Sequence, residues 1–320
     1  MNAQETVAVP HPAIAPRTRA EREASARSAA EQIAHERVQV AAHYQHDPSI
    51  FSMVLDSRLA YATGVFHDPS EDLETAQRRK YARIAEKLAI KPGERVLDVG
   101  CGWGSNLLYL AQHTQGLFQG ITLSEKQRDE ALARARAWGV ADRVRIDVRH
   151  VEELAVEPGS LDAILFSGSI VHMHNRAEIH GMVGRLLRPG GRLLISDCYF
   201  PVQQRGDRES EATQYIFVEA LGYCRLLGLS EELALIEEAG LDVLHVEDLT
   251  SHYALTLERW IDNVRRNRRR IEEISPGFSR VLQAYMTVAR LSFARRTALE
   301  YMILATKGRP AVDVGRWAIP

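Results

Sequence analysis

Cysteine is scarce. Three in 320 residues (Cys101, Cys198 and Cys224) stand at no metal-ligand spacing, which excludes a disulfide scaffold and a cysteine-built zinc site and fits a reducing compartment. Charge of one sign is missing too: 40 Lys and Arg face 42 Asp and Glu, for a formal net charge of −2. No global field therefore draws in nucleic acid or an acidic membrane. No apolar run reaches the roughly 20 residues of a membrane span, and the N-terminus lacks a positive-apolar-small signal pattern. No heptad seam specifies an oligomer. These absences predict a soluble, cytoplasmic protein with no metal site, no nucleic-acid partner and no stable membrane insertion. The length suffices for a full hydrophobic core.

What is present becomes regular after a plain beginning. Prolines at 10, 12 and 16 predict a mobile arm over residues 1–38. The Ala-rich stretch 21–44 predicts a helix with a weak apolar stripe, and residues 39–90 a helical cap. From residue 91 onward, "ERVLDVG", "LFQGITL", "VRIDVRH", "LDAILFSGS", "GRLLISDCY", "LDVLHVEDL" and "LEYMILATK" are apolar runs of strand length. Amphipathic segments separate them, and "PGG" at 189–191 and Gly240 act as helix stops. Strands alternating with helices predict an α/β, doubly wound, Rossmann-like domain over 91–320 around a parallel seven-stranded sheet. Segments at about 201–230 and 254–299 are predicted to form helical lids.

The loop "VLDVGCGWG" (96–104) carries the chemistry. An acidic residue, Asp98, ends the first strand, and Gly100, Gly102 and Gly104 let the backbone turn tightly before a helix whose first N–H groups face a ligand. The spacing G-x-G-x-G is neither the dinucleotide fingerprint nor a P-loop. It resembles motif I of class I methyltransferases, which bind S-adenosylmethionine (SAM).

Four stretches in order, "HYQHDPSIFSMVLDSRLAYATGVFHD" (43–68), "LDVGCGWGS" (97–105), "GITLSEKQ" (120–127) and "EDLTSHYALTLERWIDNV" (247–264), resemble the cyclopropane-fatty-acid synthase family. That family includes mycolic acid cyclopropane synthases and methyltransferases, and its superfamily includes C-methyltransferases of prenyl diphosphates. The resemblance implies a seven-stranded methyltransferase fold and SAM as cofactor. It implies cofactor contacts at Tyr61, Gly100, Cys101, Gly102 and Gly104, with Asp98 ordering the loop. Thr122, Leu123 and Gln127 stand where other Rossmann-like sites carry a ribose-binding acid. Val151 and Glu152 occupy the adenine position, with valine in place of the family's tryptophan.

In the family, a bound bicarbonate removes the proton that closes a cyclopropane ring, held by a cysteine, a glutamate, a histidine and a tyrosine. At the matching positions this chain has Thr63, Val171, Ser196 and Tyr253, so only the tyrosine remains. The resemblance thus implies a transferred methyl rather than a ring. Phe51, Phe66, Tyr199, Phe200, Tyr215, Phe217, Tyr223 and Trp260, with Tyr61 and Tyr253, lie where the family builds its acceptor pocket, and aromatic faces stabilise a carbocation. For the base, the candidates are His172, which with His174 follows the fourth strand, Glu219 in the apolar-aromatic stretch "YIFVEALGYC", and Tyr253. The expected reaction is C-methylation of an alkene in a small apolar acceptor, a prenyl diphosphate or an unsaturated acyl chain, with cyclisation an open sequel. N- or O-methylation of a small amine or phenol is the alternative, and a non-enzymatic SAM- or lipid-binding protein a third. The run "RRNRRR" (265–270) reads as a solvated helix face or a phosphate contact.

Overall fold

Local capping starts the cap. Asp47 accepts a hydrogen bond from the Ser49 amide at 2.8 Å with Pro48 at the first helical position, opening α1 (Pro48–Val54). Asp72 caps α2 (Leu73–Leu88) through the Thr75 amide. The sheet domain follows with β1 (Arg95–Val99), α3 (Ser105–His113), β2 (Leu117–Thr122), α4 (Glu125–Ala137), β3 (Val144–Val148), β4 (Leu161–Ser167), α5 (Arg176–Leu186) and β5 (Leu187–Tyr199). Then come α6 (Leu229–Glu238), β6 (Asp242–Asp248), the lid helices α7 (Thr250–Arg266), α8 (Arg268–Ile274) and α9 (Phe278–Ala294), and β7 (Leu299–Thr306). The computed structural model describes residues 47–201 and 226–308, with Glu31, Ile33, Ala34 and Cys224. The arm over 1–38, the helix over 21–44 and nearly all of the first lid segment, with Tyr215, Phe217, Glu219 and Tyr223, lie outside the described residues apart from these few.

The seven strands run in the order β3-β2-β1-β4-β5-β7-β6. The sheet is mixed, not wholly parallel as expected: β7 lies antiparallel between β5 and β6. Its chain returns from the lid helices at the carboxyl edge and so enters the sheet from the opposite end. A second difference concerns α5, which ends at Leu186. The "PGG" expected to stop it falls inside β5.

Side-chain alternation along the strands splits the core in two. On one face Val96, Leu165, Leu194, Met302 and Leu304 pack under α2, α3 and α4. On the other, Leu97, Ile164, Ile195 and Ile303 pack under α5 and α6. A third cluster joins α1 to α7 and α9 through Phe51, Trp260, Tyr285 and Met286, so the cap and lid close over the carboxyl edge as one apolar unit.

Candidate active site

At the carboxyl edge of β1 the chain turns through Gly100 (φ +72°), where a Cβ would sit 2.5 Å from Ser169 Cβ. Only glycine fits there. Gly104, also left-handed, precedes α3 and offers no capping side chain, which leaves the first turn of that helix facing the cleft. Two adjoining hollows of about 600 Å³ and 450 Å³ open beside this loop and share Gly100, Gly102, Gln127 and Gly168.

The first hollow is largely apolar. Val99, Ile121, Leu123, Val151 and Met173 line it, with Thr122, Arg149, His150 and His172 at its polar points. Thr122 donates from Oγ1 to Gln127 Oε1 at 2.6 Å, and the Ser124 side chain caps α4 by accepting from the Gln127 amide. Strand end and helix start are thereby fixed to each other, with the Gln127 side chain turned towards the loop. Glu152 is not part of the lining: its carboxylate accepts both hydrogen bonds from Asn175 Nδ2.

The second hollow is polar and lies under the cap. Leu59, Ala60, Tyr61 and Ala62 cover it, with Lys80, Asp98, Cys101, Trp103, Asn106 and Ser167 beneath. The covering loop is held from three sides. Asp56 accepts from the Ala60 amide and Tyr81 Oη, Gln77 donates to the Ala62 carbonyl, and Thr256 of α7 accepts from the Gly64 amide. Leu59 sits at φ +61°, a left-handed strain held in place by these contacts.

Lys80 Nζ, Asp98 Oδ2, Asn106 Oδ1 and Ser167 Oγ of this hollow are buried without a hydrogen-bond partner. Burial pulls the Lys80 ammonium down to about 8, against the attraction of Asp56, Asp98 and Glu300. Burial likewise pushes Asp98 up to about 7, with Lys80 opposing. Opposite charges in one hollow with unused hydrogen-bonding capacity, Lys80 over the Tyr81 ring and Asp98 with one free oxygen, suit a ligand with the complementary pair. An α-amino acid has it: a carboxylate for Lys80 and an ammonium for Asp98. Together with the apolar hollow next door, the cleft fits the two ends of SAM, a nucleoside and a methionine.

From the polar hollow a row of aromatic rings leads into the lid. Trp103 packs on Phe51 (5.7 Å between centroids) and Phe51 on Tyr61 (6.2 Å). Tyr61 stacks on Trp260 at 5.1 Å, Trp260 meets Tyr253 edge-on at 6.1 Å, and Tyr253 packs on Phe293 at 4.5 Å. Facing this row, Glu300 of β7 is buried among Ser196, Cys198 and Tyr253.

The structure therefore gathers Tyr61, Asp98, Gly100, Cys101, Gly102, Thr122, Leu123, Gln127 and Val151 around one cleft, and Phe51, Tyr253 and Trp260 around its aromatic extension; Gly104 is not part of the lining and packs instead against Leu108 and Ala131. Other expected residues fall elsewhere. Tyr199 points to the opposite face of the sheet, against Tyr301 and the α5–α6 core, because its neighbour Cys198 takes the acceptor side. Phe66 lies under Arg259 on the outer side of the cap, its amide donating to His252 Nδ1. Phe200 pairs with Gly228 at the start of α6. His172 stands on a tight turn over Ile170–His172, not a strand, and lines the apolar hollow, with the Cys224 thiol 3.4 Å from its Nδ1. Thr63 donates to its neighbouring carbonyl at Gly64. The arginine run is exposed, Arg265 pairing with Asp262 and Arg269 with Glu273.

Sequence reasoning missed Lys80, Asn106, Ser167 and Glu300. The first and last carry a signal. Lys80 falls at helical spacing between the apolar residues Leu73, Ile84 and Leu88 on the buried face of α2, and Glu300 shares the inward period of Met302 and Leu304.

The sequence model of the family described as mycolic acid cyclopropane synthetase matches residues 31–301. A Mycobacterium tuberculosis protein named "probable fatty acid methyltransferase Rv3720" is 32% identical over 280 residues, covering 85% of this chain. The match spans only 63% of that relative's own length. The 27-O-demethylrifamycin SV methyltransferase of Amycolatopsis mediterranei is 30% identical over 245 residues, 76% of this chain and 88% of that protein. Among solved structures, mycolic acid cyclopropane synthase CmaA1 complexed with SAH and CTAB superposes with a TM-score of 0.79 at 22% identity, covering 85% of this chain and 98% of that one.

Proposed function

The chain belongs to the mycolic acid cyclopropane synthetase family of SAM-dependent methyltransferases, and from that membership we propose that it methylates an alkene carbon of an unsaturated acyl chain through a carbocation. The observation that carries this reading is the aromatic row. It begins at Tyr61, over the methionine hollow, and runs along Trp260, Tyr253 and Phe293 into the lid. In this reading an apolar chain would lie along the row, and each ring would offer a positive charge developing on carbon about 0.5–2 kcal/mol.

Catalysis here is mostly positioning. When bound, SAM supplies an activated methyl on a sulfonium. Lys80 and Asp98 would hold its amino acid end, Thr122, Gln127 and Val151 its nucleoside, and the cap loop would exclude water above it. The apolar lining of the lid aligns the acceptor without a heteroatom contact. The fatty acid methyltransferase name of the relative agrees with this acceptor class.

The test uses SAM with a trideuterated methyl, offered with dioleoylphosphatidylglycerol vesicles, geranyl diphosphate and small phenols, followed by mass spectrometry. Three deuterons on a methyl-branched, still unsaturated acyl chain are expected. Label confined to the prenyl compound or to an oxygen would overturn the acyl reading; the rifamycin-methylating relative makes O-methylation the second reading to weigh. Two deuterons in a saturated ring would refute the absence of cyclopropanation.

A further inference from the structure

Glu300 has no place in the cofactor cleft, yet its surroundings are built. It is 2% exposed and faces Cys198 directly across the β5–β7 ladder. Ser196 Oγ donates to its Oε1 at 3.1 Å and the Cys198 thiol to its Oε2 at 3.2 Å, so both carboxyl oxygens are aimed. Its backbone is clamped as well, the amide donating to Thr250 Oγ1 and the carbonyl accepting from the Leu249 amide. Among the described residues no arginine or lysine pairs with it. A buried carboxyl without a salt-bridge partner costs stability, and such groups cluster where chemistry is done.

Sheet register ties this carboxyl to the methyl donor's hollow. Ser167, which lines the methionine end, is the in-register partner of Ser196, and Ser196 holds Glu300. The span is two strand spacings, about 10 Å, and the Tyr61–Trp260–Tyr253 row flanks it. On its own side of the sheet Glu300 meets Lys80 from α2, Cys198 from β5 and Tyr253 from α7, and Asp197 of β5 acts on it from the opposite face. Burial, and then the Asp197 charge, push the carboxyl up to about 8, so without ligand it is mostly protonated at neutral pH.

We propose that Glu300 is the proton acceptor of the reaction: arrival of the SAM sulfonium ionises it, and its carboxylate then takes the proton that the methylated carbocation gives up. The proton step rests on the C-methylation reading; the ionisation step does not. The methyl carbon–sulfur bond breaks with its pair going to sulfur, and the alkene π pair forms the new carbon–carbon bond. A C–H bond beside the cationic carbon then breaks. Its pair closes a new C=C, and its proton passes to a Glu300 oxygen, which releases it to solvent after the product leaves. A cation near a carboxyl favours the charged form, so donor binding readies the base.

SAM and S-adenosylhomocysteine share nucleoside and amino acid ends, so proton exchange at Lys80 and Asp98 cancels between them and the sulfonium alone differs. Calorimetric titration of the full chain at pH 7.5, in buffers of different ionisation enthalpy, counts the protons released by each. Wild type should release roughly 0.5 proton or more with SAM beyond that with S-adenosylhomocysteine, and Glu300→Gln none beyond it. Equal release in wild type, or an excess that survives in Glu300→Gln, overturns the proposal, and neither result depends on the acceptor. With dioleoylphosphatidylglycerol vesicles, Glu300→Gln should lower kcat by about 10²–10³-fold with KM for SAM within about threefold, and abolish the rising limb of kcat against pH. Glu300→Asp should restore part of the rate with that limb displaced. A glutamine variant that keeps the wild-type rate and limb refutes the proton-acceptor role. Vesicles left unmethylated by wild type would instead refute the acyl reading, with the calorimetric result still deciding Glu300.

Discussion

Replacing Lys80 with methionine separates what this buried cation does for the fold from what it does for the cofactor. In the ligand-free protein its ammonium has no hydrogen-bond partner and is pulled from 10.5 to about 8 by burial. Folding therefore forces an ammonium into an unfavourable site at every pH below about 8. The shift corresponds to roughly 3 kcal/mol at neutral pH, an upper bound because Asp98 loses a neighbouring charge in the exchange. Methionine has similar length and fills the space without desolvating a charge. Lys80→Met should thus leave the ligand-free fold as stable as wild type or up to about 3 kcal/mol more stable in urea unfolding at pH 7. Cofactor binding should move the other way. A buried charge-assisted hydrogen bond to the methionine carboxylate is worth about 1.5–3 kcal/mol, which weakens Kd for SAM and S-adenosylhomocysteine alike by about 10–150-fold. Methylthioadenosine, lacking the amino acid end, should bind both proteins equally in isothermal titration. A variant that loses stability while its affinity for SAM stays within about twofold would show that Lys80 braces the cap instead, and the placement of methionine would be wrong.

Gly100→Ala puts a Cβ 2.5 Å from Ser169 Cβ at a left-handed φ; thermal unfolding should show a loss of about 2–4 kcal/mol, with SAM affinity falling at least about tenfold. Behind the sheet, Glu232 accepts from Arg176 at 2.7 Å and pairs with His180 at 2.8 Å, all three buried. Glu232→Ala removes the carboxylate that Arg176 and His180 share in a buried site and should cost about 3–5 kcal/mol in urea unfolding, whereas a loss under about 1 kcal/mol would mean that solvent reaches the site. The ligand-free fold should lose stability as pH rises from 5 to 8. Asp98 and Glu300 are raised to about 7 and about 8 by burial, so their favourable contribution is full below their ordinary values of 3.8 and 4.5 and is lost as they ionise in the fold. Lys80 acts in the opposite sense, its penalty relaxing between about 8 and 10.5. Urea midpoints at pH 5, 6, 7 and 8 check this, and Glu300→Gln should flatten the slope.

Sequence alone determined the elements and the donor loop. All seven strands announced themselves as short apolar runs, and the glycine spacing 100, 102, 104 after Asp98 is a local requirement for backbone that turns at positive φ, legible without any long-range contact. Thr122, Leu123 and Val151 line the cleft because they sit next to strand ends, and strand ends are local. The acceptor wall was decided only by tertiary structure. Tyr199 and Cys198 are neighbours in the chain, and which one faces the aromatic row depends on the twofold alternation of β5 combined with the layer packed above it. Glu300 meets Ser196 across 104 residues because β7 enters antiparallel between β5 and β6, a register set by lid helices closing the carboxyl edge. Lys80 and Asp98 are unremarkable as an amphipathic helix residue and a strand-end acid. Only the tertiary structure buries them in one hollow, where two charges denied water and short of hydrogen-bond partners would favour a ligand that supplies both.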